Sequence, residues 1–176
     1  MEPDHVDKIL DQWARERPDL DASPIGLVGR LHRVADVLNV ELRKVFAEAG
    51  LGDGDFDVLV TLRRHGTPYQ LTPGELCLAT MVTSSAVTKR IDRLERAGLV
   101  TRTVAADDAR SRVVTLTDAG FSLVNDLMDR HIANEHRLVS GLSEGDRTQL
   151  ADILRRWGQS LAEGGETAPR SGRNGE

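Results

Sequence analysis

The sequence predicts a mainly α-helical fold with a small β-hairpin wing: a winged helix-turn-helix joined to long dimerisation helices. Three observations predict it. From Leu71 to Gly120, a capped short helix, a turn, a second helix and two β-rich segments follow one another. A basic run, Arg110-Ser111-Arg112, lies just past the turn between those segments. Long amphipathic stretches flank the block on both sides. That order suits a helix entering the major groove of DNA with a basic hairpin beside it.

Residues 1–20 are expected to form an additional N-terminal helix over about residues 4–16, with Ile9 and Trp13 four apart and Pro18 following. Ser23 and Pro24 supply an N-cap and an N1 proline for a long helix to about Ala49, stopped by Gly50. Along it Val28, Leu31, Ala35, Leu38, Leu42 and Val45 step by three and four. That is a heptad-like seam, suited to packing on another long helix. Phe56 to His65 reads as a shorter helix ended by Gly66. Thr72-Pro73-Gly74-Glu75 is a capping box with proline at N1, opening a helix to about Thr80. Thr83 or Ser84 caps the next, which runs to Ala97 and stops at Gly98. Val100–Val104 and Arg112–Leu116 are β-rich and flank the turn-like Ala106-Asp107-Asp108-Ala109. Thr117 caps a long helix to about Ser140, and Ser143 caps the last. In that last helix Leu150, Ile153, Leu154, Trp157 and Leu161 form one stripe. The chain thus divides into dimerisation helices at 24–50 and 118–163, a DNA-binding lobe at 54–117 and a tail, 164–176, expected to be disordered.

Composition narrows the function. A chain of 176 residues suits one domain with an extra helical layer. No apolar run is long enough to span a bilayer, and the acidic, polar start MEPDHVDKIL is not a signal peptide. One cysteine permits no internal disulfide, so a cytoplasmic location is expected. Cys77, between Leu76 and Leu78, reads as a small buried hydrophobe, with a redox sensor as the alternative. The net charge of −5 argues against a DNA partner, but its distribution argues for one. Between Thr83 and Thr117, Lys89, Arg90, Arg93, Arg96, Arg102, Arg110 and Arg112 outnumber Asp92, Glu95, Asp107 and Asp108. Local charge decides where phosphates dock.

In the helix Ser84–Ala97, Val87, Ile91 and Leu94 fall on one face and point to the core. The other side carries Ser84, Ser85, Thr88, Lys89, Asp92, Arg93 and Arg96. Small hydroxyls near the start, Thr83 included, allow close approach to base edges, and the basic residues reach bases or phosphates. Arg110, Ser111 and Arg112 suit the minor groove or its phosphates, and Asp108 is placed to orient Arg110. A solvated amphipathic helix and an ordinary surface ion pair are the plainer alternatives. The capped helix before and the hairpin after favour DNA.

These stretches resemble those of the MarR family of regulators. DDARSRVVTLTDAG is similar to the family's wing signature, and VTSSAVTKRIDRLERAGLVTR to its recognition helix. The resemblance covers about residues 24–162 and implies a homodimer whose terminal helices form the interface. Its two recognition helices would meet a pseudo-palindromic operator in double-stranded DNA. Lys89 departs from the pattern, which has Asn or another polar residue there.

Two arginines are poorly explained by DNA contact. Arg90 lies on the inward flank of the recognition helix, and Arg102 shares a strand face with Val100 and Val104. An arginine on an apolar face needs an anion or a route to solvent. An internal salt bridge is as good a reading as a ligand, with Asp57 as the candidate carboxylate. Asp57 is also a favourable acid near a helix start, and Trp13 also reads as a core or interface tryptophan. The pattern is similar to the urate-responsive, PecS-like branch of the family, on DQWARERPDLDASPIGLVGRL and FDVLVTLRRHGTPYQLTPGEL. That resemblance implies a pocket for a small anionic ligand such as urate, formed by Trp13, Asp57, Arg90 and Arg102. Xanthine, another purine, a phenolic acid or oxidation of Cys77 are alternative signals.

An enzyme has little support. There is no Gly-rich phosphate loop and no Gly-X-Ser-X-Gly. His131 and His136 are five apart on one helix, the wrong spacing for a shared metal. No catalytic residue, cofactor or metal is expected. The remaining rival is a winged helix that binds protein instead of DNA.

Overall fold

The computed structural model describes residues 2–80, 84–104 and 112–166, without the side chains of residues 84–86 and 164–166. The elements are α1 (His5–Glu16), α2 (Ser23–Ala47), α3 (Asp53–His65), β1 (Gln70–Leu71), α4 (Pro73–Ala79), α5 (Ser84–Arg96), β2 (Val100–Val104), β3 (Arg112–Leu116), α6 (Asp118–Leu138) and α7 (Glu144–Glu166). They fall into two compact units, residues 1–134 and 135–176.

The first unit begins with a helix clipped onto another. Asp4 caps α1 by accepting from Val6 and Asp7 N–H at 2.8 and 2.9 Å, and Asp7 returns the bond to Asp4 N–H at 2.8 Å. Arg30 of α2 donates to the same two carboxylates, at 2.8 Å to Asp4 and 2.6 Å to Asp7. Backbone N–H groups of the first turn and Arg30 together hold the Asp4 carboxyl at a pKa of about 2. Gly26 and Gly29 leave room for Leu10 and Val6, so α1 lies close on α2 with Val6 buried.

Ser23 is not the cap of α2. It lies inside the helix, and Asp21 accepts its N–H at 3.0 Å, while Pro24 keeps its place in the first turn. The heptad seam of α2 is half-buried at Leu31, Ala35, Leu38 and Leu42 and buried at Val45. Leu27, Val34, Val37 and Val40 stay 55–62% exposed on the same helix.

Helix α3 starts three residues earlier than its apolar pattern suggests. Gly52 is the N-cap, and the Asp55 carboxylate accepts the Gly52 N–H at 3.0 Å. Val58, Leu59 and Leu62 of α3 are fully buried in one core with Leu76, Val87, Ile91, Leu94, Val114, Val124 and Leu127. The capping box of α4 is present: Thr72 accepts from Glu75 N–H, and Glu75 accepts from Thr72 N–H at 2.8 Å. Leu76 is buried and Cys77 half-buried, but Leu78 is 90% exposed, so the Cys77 flank is only partly core.

The hairpin is larger than two strands. β1 joins it, giving the antiparallel order β1-β3-β2, with Gln70 opposite Thr115 and Arg102 opposite Val114. Two residues leave too short a sequence for period-two alternation to reveal β1. Thr117 caps α6 by accepting Gly120 N–H at 3.0 Å while donating to Gly98 carbonyl at 2.8 Å. Arg63 of α3 stands over the rings of Tyr69 and Phe121, at 5.2 and 4.7 Å, and donates to Asn125 at 2.9 Å. α6 is thereby tied to the lobe.

The second unit holds the end of α6 and α7. Ser143 accepts Asp146 N–H at 3.1 Å and caps α7 as expected. The helix continues through Gly164 and Gly165 to Glu166, beyond its expected end. Leu150, Ile153, Leu154 and Leu161 are exposed along it. No helix among the described residues is long and apolar enough to cross a membrane.

Candidate nucleic-acid interface and anion site

One face of α5 anchors it. Val87, Ile91 and Leu94 are at most 1% exposed and pack into the core, as their spacing predicts. The other face leaves Thr88, Lys89, Arg93 and Arg96 exposed. Ser84 and Ser85 stand at the start of α5, their side chains outside the description. Thr83, Arg110 and Ser111 lie outside the described residues, as does the turn at 106–109 with Asp108. Arg112 opens β3 and is exposed.

Arg93 has a partner that the sequence reading missed. Its Nε and Nη2 donate to Asp55 Oδ1 at 3.0 and 2.6 Å. Asp55 is 1% exposed, whereas the Arg93 side chain remains 55% exposed. Gly-x-x-Asp at 52–55 is a helix-start spacing, and it is the signal that locates Asp55.

Arg90 lies against α3, one turn before Arg93 on α5. A Cβ on Gly54 would stand 1.8 Å from the Arg90 Cζ, so the guanidinium occupies the space that this glycine leaves. Arg90 Nη1 is buried with no hydrogen-bond partner among the described residues. A buried donor of this kind costs about 1–3 kcal/mol until something accepts from it. Asp57 is half-buried nearby. Burial pushes its carboxyl above the ordinary range, and the positive charges of Arg64 and Arg90 pull it part of the way back. Arg64 donates to the Ala79 carbonyl at 2.7 Å and to Thr61 Oγ1 at 3.2 Å.

Arg102 is held elsewhere. Its guanidinium pairs with Asp92 and reaches Glu95 at 3.7 Å, and the backbone N–H of Arg102 donates to Glu95 at 3.2 Å. The carboxylates that satisfy it are therefore those of α5, not Asp57. Asp92 and Glu95 are one turn apart on the flank facing β2. Asp92 follows Arg90 by two residues, about 200° around the helix. Asp57 thus feels the charges of Arg64 and Arg90 without a hydrogen bond or ion pair to Arg90, and Arg102 is held on the other flank of α5. Trp13, on α1, is 40% exposed.

Comparison with known proteins adds to this geometry. Residues 49–111 match the model of the MarR family. The chain is 42% identical over 151 residues to the HTH-type transcriptional regulator PecS of Dickeya dadantii, covering 86% of this chain and 91% of PecS. It is similar in structure to AbsC, a MarR family transcriptional regulator from Streptomyces coelicolor, with a TM-score of 0.73 at 26% identity over 82% of this chain and 97% of AbsC. Sco3205 from the same organism, solved in complex with DNA, shares the fold at a TM-score of 0.72 and 24% identity, over 81% of this chain and 93% of that one.

Proposed function

The chain belongs to the MarR family of transcriptional regulators, not to an enzyme family, and from that membership we propose a ligand-released repressor. It binds a pseudo-palindromic operator in double-stranded DNA as a homodimer, in the cytoplasm. Urate is the small anion that releases it. Thr83, Ser84, Ser85, Thr88, Lys89 and Arg93 of the α5 segment and Arg110, Ser111 and Arg112 of the wing contact the DNA. The amphipathic build of α5 supports this, with its apolar face spent on the core and its basic face left in solvent.

The observation that carries the ligand reading is the buried, unpartnered Nη1 of Arg90 beside the half-buried Asp57. A planar, singly anionic purine would accept from that donor and stack by Trp13. To reach the same anion, Arg102 must leave Asp92. The negative charge of the ligand would also repel Asp57 and compete with it for Arg90. Because Arg90 and Asp92 both ride on α5, their rearrangement moves the recognition helix relative to its two-fold mate. Ligand then favours the DNA-incompetent state, by about 1–3 kcal/mol of coupling.

The test joins melting curves to DNA binding. Urate is expected to raise the melting temperature and to release a duplex selected from a random pool by the wild-type protein. Trp13→Phe should keep wild-type DNA affinity and lose about 1–2 kcal/mol of urate affinity. A Trp13→Phe protein that responds like wild type removes Trp13 from the pocket. If phenolic acids shift the wild type and no purine does, the ligand is of that class.

A further inference from the structure

We propose that the first turn of α3 is the seat that fixes the pose of the DNA-reading helix, with Asp55 as a positioning residue acting through Arg93 and Gly54 as the gap that Arg90 fills. The proposal rests on the reading of α5 as that helix. It does not depend on which ligand the protein senses.

Asp55 is almost wholly buried, and a carboxylate there is costly unless ion-paired and hydrogen-bonded. Its two oxygens do different things. Oδ2 accepts the Gly52 N–H at 3.0 Å and closes the start of α3. Oδ1 accepts both Nε and Nη2 of Arg93 and so ties α5 to that same turn. Three of the five guanidinium N–H groups of Arg93 are not needed for this contact. With the side chain 55% exposed, they are available to a phosphate or a base edge. An arginine already ordered by a buried partner loses less conformational freedom on meeting DNA.

The neighbouring residue makes the second contact. Gly54 and Asp55 are adjacent on α3, and Arg90 and Arg93 are one turn apart on α5. Any side chain at position 54 would overlap the guanidinium at Cζ, Nε and Nη2, all within 2.3 Å of its Cβ. Two contacts at different points along α5 restrict both its rotation and its sliding. A single contact would leave one of these free.

The competing explanation is that Asp55 merely caps α3. Double-mutant cycles on DNA affinity separate the two. The probe is the duplex that wild-type protein enriches from a random-sequence pool, bound at constant salt, with each variant checked for its folded helical signal. Asp55→Ala is expected to weaken binding about ten-fold in the wild-type background and less than two-fold in the Arg93→Ala background. Gly54→Ala makes the Arg90 guanidinium, the end of a flexible side chain, turn out of its gap, so a smaller loss of about three-fold is expected with Arg90 present and almost none in the Arg90→Ala background. Gly54 lies within a helix, where alanine is the better helix former, so this variant keeps α3 folded if Asp55→Ala does not. Equal losses in both backgrounds, or no loss in either, overturn the proposal. If wild-type protein enriches no duplex, the DNA-binding reading falls first, and the proposal falls with it.

Discussion

At the scale of the residue, Asp57 makes the sharpest prediction. Its folded-state pKa is raised above its ordinary value of 3.8 by burial, against the pull of Arg64 and Arg90. A raised carboxyl stabilises the fold fully below its unfolded pKa, and that stability is lost as pH rises through the folded value. At neutral pH the ionised Asp57 therefore weakens the fold. Asp57→Asn should melt higher than wild type at neutral pH, and the difference should shrink as pH falls toward about 4. It should also bind urate more tightly, since the repelling charge is gone. Equal melting temperatures across that range would show that the arginines fully compensate the burial. The inward place of Arg90 was legible in the sequence, because helical period alone puts it beside Val87 and Leu94. The partners of Arg93 and Arg102 were not. Asp55 enters only if α3 begins at Asp53, and helix boundaries are poorly marked by apolar spacing. Asp92 and Glu95 meet Arg102 only once β2 has packed on α5, a tertiary fact that no local pattern encodes.

At the scale of the element, the junction from β3 into α6 leaves little room for change. Thr117 caps α6 and also bonds the Gly98 carbonyl, so the turn after α5 and the start of α6 share one hydroxyl. Gly98 holds a φ of +71°, which glycine adopts without a steric penalty. Gly120 then passes so close that a Cβ would stand 2.0 Å from the Leu99 carbonyl oxygen. The obstacle is backbone, so it cannot turn aside as a long side chain would. Gly120→Ala should destabilise by about 3 kcal/mol, the upper end of overpacking costs, and helix propensity returns at most about 1 kcal/mol of that. Urea unfolding measures it, and a midpoint unchanged from wild type would mean that α6 is free to shift at its start. Capping residues made most elements readable: Thr72 with Glu75, Thr117 and Ser143 all act where the sequence places them. Ser23 did not, because Asp21 two residues earlier already accepts its N–H. β1 was missed because two residues paired to β3 carry no periodic signal.

At the scale of the whole molecule, the apolar surface on α2 exceeds what one chain uses. Leu27, Val34, Val37 and Val40 are 55–62% exposed beside a seam that is itself only half-buried at most positions. Long stretches of this kind are uncommon on monomers and mark an interface. The occupant that fits is a second copy of the chain. A two-fold pair would present two α5 helices to successive major grooves, about 34–36 Å apart, and so convert a short basic face into a specific site. This also reconciles DNA binding with a net charge of −5, since the basic residues are concentrated where the phosphates would lie. Val37→Glu tests the surface directly. Val37 is 62% exposed, so a glutamate there should leave the fold of one chain intact, while a dimer would bury two unpaired charges at several kcal/mol each. Wild-type protein is expected to sediment as a dimer at micromolar concentration and Val37→Glu as a monomer with the same helical content. Operator affinity should fall with dimerisation, because each half-site alone contributes only part of the binding energy. A Val37→Glu dimer as tight as wild type would move the interface off this face of α2, and a monomeric wild type would remove the two-fold operator.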